Sequence, residues 1–385
     1  MIMKRIPITK PYFTYKEEKL VIKTIKSGWV VQGPMIERFE RLFSGFTGAS
    51  FSCATNSCTT ALHLSLIVSK IKENDEVILP SFTHPATINV VLYLNAKPVL
   101  VDIDLDTYNI KVDEVKKKIS SRTKAIIPVH LFGLAANLGE IYKIANKYRL
   151  IVIEDAACAI GAEYDGKKIG SFDSLACFSF HPRKIITTGE GGMITTNDKK
   201  IYNLLTSLRS HGTSISDLAH HKAKKIIFPK FVRLGFNYRM TDIQAAIGVV
   251  QMEKLPEIIE KRRKMAKYYN ERLAGIDSIV LPVEPNGYKH VYQSYVIRIK
   301  ENSQLSRDEI MNRLQRRGIS TRKGTCAIHN EPYYKRKFNY KPKDFPNSLI
   351  ADRTTIALPL FHTMTKENQD YVVGTLLEVI RDGKK

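Results

Sequence analysis

Three stretches of this 385-residue chain hold side chains whose types and spacing could together do covalent chemistry. The apolar run Leu150–Glu154 closes on Glu154-Asp155, which sets the Asp155 carboxylate at the end of an expected strand, beside any bound ligand. Further along, FSFHPRKIITTGEGGM (178–193) brackets Lys184 with small, polar and glycine residues. Ahead of both, Thr55-Asn56-Ser57-Cys58-Thr59-Thr60 opens an apolar helical pattern with clustered hydroxyls. The unsatisfied amides of a helix N-terminus, with hydroxyls beside them, suit a phosphate group. A lysine that can bond to an aldehyde, a carboxylate that can keep a pyridine nitrogen protonated, and a phosphate cup are what pyridoxal phosphate demands of a protein. Taken singly, each has a plainer reading: a strand-end Asp is often a helix cap, and a Lys among glycines is usually solvated surface. Only the three together point to the cofactor.

Such groups need a scaffold that brings distant segments to one edge. From about residue 50 to 200, short β-rich runs alternate with amphipathic stretches. The runs are Glu76–Phe82, Pro98–Asp104, Ala125–His130 and Leu150–Glu154, with Val112–Ile119 and Leu138–Lys147 among the helical stretches between them. Steady strand–helix alternation means βαβ units, hence an α/β fold with a mostly parallel sheet and helices on both faces. Sheets of that kind place their chemistry at the carboxyl ends of the strands, where Asp155 falls. After about residue 250 the texture changes. Gln251–Leu273 reads as one long helix, followed by a strand-like His290–Arg298, a helix near Arg307–Arg316 and a last helix from about Glu367. This predicts a smaller α+β domain, with the N-terminal segment forming an arm and a first helix beside it.

Composition narrows the class. With 43% hydrophobic and 25% charged residues the chain is ordinary globular material, and collagen-like, fibrous and disordered readings fall away. No apolar run reaches the roughly 18–20 residues of a membrane span. The opening MIMKRIPITKPYF lacks the apolar core of a secretory signal. Five scattered cysteines with no CxxC pair argue against a disulfide framework and for a cytoplasmic location. The formal charge of +22 favours an anionic partner: nucleic acid, a membrane surface or a phosphorylated metabolite. It is spread along the chain, with no basic arm or helix-turn-helix, which disfavours nucleic acid and a DNA-binding regulator. Lys261-Arg262-Arg263-Lys264 reads as a solvated helix face, whereas the cluster from Arg313 to Lys337 is expected to attract an anionic substrate.

Several other chemistries lack support. Ten histidines form no HExxH and no tight cluster with acids, so no metal site is expected. His130, ending a strand, either approaches the cofactor or is a satisfied core histidine, and His220-His221 reads as a solvent-facing loop. Gly189-Glu190-Gly191-Gly192 lacks the order of a dinucleotide fingerprint, which removes the basis for nicotinamide chemistry. Ser57 and Ser179 have no acid–histidine partner pattern, so a hydrolase triad has no footing.

The segments PSFTHPAT (80–87), EDAACAIGA (154–162), FSFHPRKIITTGEGGM (178–193) and GFNYRMTDIQAAIG (235–248) resemble those of the DegT/DnrJ/EryC1/StrS family of sugar aminotransferases. The resemblance runs in order from Ser27-Gly28-Trp29 to Leu358-Pro359-Leu360, nearly the whole chain. It implies a pyridoxal-phosphate enzyme of fold type I, with an N-terminal arm and large cofactor-binding domain over 1–250 and a small domain over 251–385. It implies Lys184 as the lysine that bonds to the cofactor and Asp155 as the carboxylate on the pyridine nitrogen. Ser179, Cys58 and Thr59 match phosphate-binding positions. His84 takes the place of an aromatic residue that stacks on the ring. Asn237 matches an asparagine that reaches the phosphate of the neighbouring subunit's cofactor, so the site is expected at the interface of a homodimer. Cys158 stands where the family often has Gln or His beneath the ring, and a thiol there fills space but donates poorly. GISTRKGTCAIHNEPYY (318–334) resembles a loop reading close to TRPGTHAVH, with Cys326 for its His and Lys323 for its Pro. His329 remains as a substrate-binding histidine, and Arg322 in the same loop as a second substrate contact.

By the same resemblance, the reaction moves an amino group from glutamate, leaving 2-oxoglutarate, to a nucleotide-linked keto-sugar, for amino-sugar and cell-surface polysaccharide synthesis. Other members of the family aminate cyclitols or aromatic precursors. Some are dehydratases with His in place of the lysine, and Lys184 argues against that branch. The amine of Lys184 is expected to be near neutral through burial beside the ring, and so able to carry the proton.

Overall fold

The computed structural model describes residues 5–215, 228–301 and 303–382, and the His220-His221 pair lies outside the described residues. Its largest sheet has seven strands in the order Phe51–Thr55, Gly192–Thr196, Leu175–Ser179, Ile151–Asp155, Thr123–Ile126, Glu76–Pro80, Lys97–Val101. Gly192–Thr196 runs antiparallel to both its neighbours, and every other pairing in the sheet is parallel. Alternation within the strands decides the layers. Val77 and Leu79 belong to one buried core and Ile78 to another, and the pairs Cys53/Ala54, Cys177/Phe178 and Ile194/Met193 divide in the same way. Successive side chains of a strand point to opposite faces, so both faces of this sheet are covered, as the sequence leads one to expect of parallel strands.

Helices supply the covering. On one face lie Leu62 and Leu64 of Cys58–Val68, Ile88 and Val91 of Pro85–Tyr93, and Leu205 of Lys199–Leu208. On the other lie Phe39 and Phe43 of Pro34–Thr47, Val249 and Leu255 of Asp242–Leu273, and Ile141 and Ile144 of Leu138–Tyr148. A second, antiparallel sheet of Ile279–Val280, Tyr295–Ile299 and Thr355–Leu358 packs with Arg307–Arg316 and Lys366–Asp382 around its own core of Tyr269, Tyr295, Ile297, Leu314 and Leu376. No helix among the described residues is long and apolar enough to cross a membrane.

The long helix begins at Asp242 rather than at Gln251. Thr241 caps it, its hydroxyl accepting from the Gln244 amide at 3.2 Å while the Gln244 side chain accepts from the Thr241 amide at 3.0 Å. This T-x-x-Q box is a local start signal that the Ala- and Gly-rich first turns hide. The helix feeds both cores, Val249 and Leu255 the first and Met265 and Tyr269 the second, so a boundary at 250 falls inside one continuous element. Its first residue also organises the N-terminal arm. The Asp242 carboxylate accepts from the amides of Gly33, Met35 and Ile36 at 2.8–3.1 Å, capping Pro34–Thr47, whose own cap residue Gly33 has no side chain to do so.

Candidate active site

The register of the large sheet lines up the phosphate end. Thr55, Gly192 and Ser179 are partners across three adjacent strands. Immediately after Thr55 the chain turns into Cys58–Val68, with Ser57 as N-cap: its hydroxyl accepts from the Thr60 amide at 3.2 Å and Thr60 returns the bond to the Ser57 amide at 3.2 Å. The amides of Cys58 and Thr59 occupy the first turn, where helix geometry provides no internal acceptor, and they carry the positive end of the helix dipole. Gly192 presses against this turn. A Cβ on it would lie 2.4 Å from the Ser57 carbonyl, so no larger residue lets the strand and the helix start meet. The Cys58 side chain turns away into the core, its Sγ donating to the Cys177 carbonyl at 3.5 Å, and burial pushes this thiol well up. What Cys58 offers an anion is therefore its amide. Thr59 and Ser179 are half-buried hydroxyls, and Ser179 accepts weakly from the His181 amide at 3.4 Å.

The carboxylate end lies along the same edge. Asp155 pairs with Cys177, two residues before Ser179, which at about 3.3 Å per residue sets the two groups roughly 7 Å apart along the strand direction. Asp155 is buried. Its Oδ2 accepts from the Thr87 hydroxyl at 2.7 Å and its Oδ1 from the Ala157 amide at 3.2 Å, while Thr83 lies 3.1 Å behind Thr87. The sequence reading missed Thr87, although it stands in the PSFTHPAT segment and is fully buried. Thr87→Val keeps the shape and removes one hydrogen bond to a charged group, an interaction worth about 1.5–3 kcal/mol, so turnover should fall roughly 10-fold or more with the fold intact. Steady-state rates of the purified variant check this, and an unchanged kcat would sink the role.

Alternation turns the neighbouring acid the other way. Glu154 is fully buried and accepts from His130 Nε2 at 2.8 Å, from the Tyr142 hydroxyl at 2.9 Å and from Ser174. His130 Nδ1 accepts from the Ala136 amide at 2.9 Å, so both ring nitrogens are used. Of the two readings left open for His130, the satisfied core histidine holds.

Lys184 follows Leu175–Ser179 in the chain, and its Nζ donates to the Cys158 sulfur at 3.2 Å. Burial draws the amine toward its neutral form, but Cys158, Cys58 and Asp155 outweigh burial, and the net direction is up from an ordinary lysine. His84 caps Pro85–Tyr93, Nδ1 accepting from the Ala86 amide at 3.2 Å, and its ring is otherwise exposed. Burial and then the Lys184 charge lower its basicity.

The remaining predicted residues fare unevenly. Asn237 is exposed, and its side chain has no hydrogen bond to another described residue. His329 is fully buried, its Nδ1 2.6 Å from the Ser81 hydroxyl and its ring against Phe345. Through Nδ1 it ties the 326–330 segment to the end of Glu76–Pro80, while its Nε2 is buried without a hydrogen-bond partner among the described residues. Arg322 is exposed, while its backbone pairs with Ala357. Much of the basic cluster around it is neutralised within the chain: Arg313 by Glu309 at 2.9 Å, Arg317 by Glu378 at 2.5 Å, and Lys323 by Asp352 at 3.1 Å. Arg316, Lys335, Arg336 and Lys337 of the same cluster have no ion pair among the described residues and stay with Arg322 as the groups left for an anion.

An amine, a buried carboxylate held by a hydroxyl, and a helix start packed on a glycine all open on one sheet edge, and this donor set fits pyridoxal phosphate. The mixed seven-stranded sheet with covered faces and a small α+β domain is the architecture of the fold type I pyridoxal-phosphate enzymes. The model of the DegT/DnrJ/EryC1/StrS aminotransferase family matches residues 11–377, and the chain belongs to this family. The spore coat polysaccharide biosynthesis protein SpsC of Bacillus subtilis is 32% identical over 386 residues, 99% of each chain. Spr1654 of Streptococcus pneumoniae in its PLP form superposes with a TM-score of 0.92 at 27% identity, covering 99% of this chain and 100% of that one. Helicobacter pylori PseC, an aminotransferase involved in the biosynthesis of pseudoaminic acid, superposes with a TM-score of 0.91 at 27% identity over 98% of this chain and 100% of its own.

Proposed function

We propose that this aminotransferase uses pyridoxal 5′-phosphate to move an amino group from glutamate to the ketone of a nucleotide-linked hexose, as a homodimer with shared sites. The observation that carries the reading is the Lys184 amine and the Asp155 carboxylate on one strand edge, with the Cys58–Thr59 amides at its far end. When bound, pyridoxal phosphate supplies an aldehyde for the amine and a pyridinium ring that draws electrons from the substrate's Cα. Asp155, fixed by Thr87, holds the positive charge at the pyridine nitrogen. Lys184 Nζ takes the proton from the donor's Cα and returns it on the other side of the transfer, and runs the same exchange in reverse for the sugar. The Cys58 and Thr59 amides with the Thr59 and Ser179 hydroxyls hold the phosphate, and the exposed His84 ring stacks on the cofactor. Arg322 meets the diphosphate of the substrate. A sugar substrate is supported by the polysaccharide role that the name of SpsC carries.

The test is a panel of nucleotide keto-sugars offered with glutamate, read by the mass of the aminated product. Amination of a cyclitol or aromatic ketone, with every nucleotide sugar inert, would overturn the substrate class.

The dimer makes its own prediction. Phe231, Val232 and Leu234, just ahead of Asn237, are 72%, 54% and 88% exposed in the single chain. Three bare apolar side chains grouped in one segment are the kind of surface a partner subunit covers. Asn237→Ala should weaken cofactor retention roughly 10-fold, the value of a hydrogen bond to a charged phosphate, and cofactor should raise the melting temperature by linkage. Dialysis followed by absorbance measures the first and a thermal scan the second. A monomer active at full rate would rule out the shared site.

A further inference from the structure

Cys158 lies beyond the end of Ile151–Asp155 and Lys184 beyond the end of Leu175–Ser179, two neighbouring parallel strands whose following segments meet. We propose that Cys158 positions the Lys184 amine whenever that amine is not bonded to the cofactor, and that the Lys184 charge in return makes Cys158 the reactive thiol of the chain. The first half rests on Lys184 being the cofactor lysine, and the second rests on the contact alone.

The geometry gives the amine one partner. Nζ donates to the Cys158 sulfur at 3.2 Å, while the nearby Asp155 carboxylate is engaged by Thr87 and by the Ala157 amide. A free amine with no acceptor explores the pocket, and its return to a reacting geometry is then an entropic cost on every turnover. Sulfur as acceptor also answers the weakness of a thiol at this position, since the contact asks it to accept rather than to donate. The charged and titratable groups facing the pair are Asp155 from the strand end, Cys58 from the helix start, His84 from the Pro85–Tyr93 cap, and His181 and Arg183 from the lysine's own segment. Among the influences that keep the proton on Lys184, Cys158 is the largest, although burial works against all of them. Removing the sulfur should therefore let Lys184 lose its proton at lower pH.

The same contact singles out one of five thiols. Cys53, Cys58 and Cys177 are buried, and burial pushes each of them up, Cys53 to about 12. Cys326 is half-buried and is also raised by burial. Cys158 has the same intermediate exposure as Cys326, and it is the one of the five whose sulfur accepts a hydrogen bond from an amine, an accessible setting beside a positive charge that favours thiol reactivity.

The experiment has two arms. In apoprotein treated with iodoacetamide and mapped by peptide mass, Cys158 should be alkylated about 10-fold or more faster than any other cysteine. Lys184→Met should slow Cys158 roughly 10-fold and leave the other four unchanged, which also reports that the fold is intact, whereas Lys184→Arg should keep the fast rate. In loaded enzyme, Cys158→Ala should lower kcat and move the ascending limb of the pH profile of kcat, which reports the complex in which the amine is released, to lower pH. Cys158→Ser, which restores an acceptor, should recover most of kcat. Cys158 labelling no faster than Cys326, or indifferent to Lys184→Met, overturns the thiol half, and a pH limb unmoved in Cys158→Ala overturns the positioning half. Borohydride reduction of loaded wild-type protein separates the underlying reading: cofactor mass on a lysine other than Lys184 overturns that assignment while leaving the labelling result standing.

Discussion

Lys184→Ala should lose transamination by about 10,000-fold or more, the upper end of what one acid–base group supplies, because the same side chain also bonds to the cofactor. The yellow absorbance of the lysine-bound cofactor should vanish with it. The fold should survive, since the side chain is only half-buried and its hydrogen bond is to Cys158 alone. Steady-state rates, an absorbance spectrum and a thermal scan on one preparation separate these claims. A variant that keeps both colour and turnover would show that another lysine holds the cofactor.

Asp155→Asn should cost about 100- to 1,000-fold in kcat while the protein still takes up cofactor. The amide fits the same space and can still accept from Thr87, but it is neutral and cannot balance the positive pyridine nitrogen. The pairing with Cys177 and the bonds from the Asp155 backbone to Pro128 and His130 do not depend on the carboxylate, so stability should change little. The separate measurement of cofactor affinity and kcat is what matters here. A rate within a few-fold of the parent would remove Asp155 from the chemistry and leave it as a strand-end hydrogen-bond acceptor for Thr87.

Most of the scaffold was legible because its signals are local. Four of the seven strands of the large sheet read directly as short apolar runs, and Arg307–Arg316 and Leu138–Tyr148 read as amphipathic helices. Phe51–Thr55, Leu175–Ser179 and Gly192–Thr196 did not, because Ser, Cys, Thr and Gly interrupt their apolar pattern. These are the strands whose register assembles the phosphate end, so the sequence pointed to the hydroxyl-rich helix start without indicating what it faces. Thr87, 68 residues before the carboxylate it serves, was invisible for the same reason. His329 was legible as a motif residue, and its burial against Ser81 and Phe345 was not.

The sequence by itself determined the family, the alternation of strand and helix, and the placing of Asp155 at a strand end and Cys58 at a helix start. The family follows from the resemblance of its motif segments, and the rest from periodicity and capping, which act over a few residues. Only the tertiary structure decided which groups meet: Asp155 with Thr87, Lys184 with Cys158, Gly192 with Ser57, and Glu154 with His130 on the opposite face. The strands concerned are joined by long crossovers, so no local turn sets their register. A slip of one residue would have exchanged the roles of Glu154 and Asp155, and burial of both faces of the sheet is what forbids it.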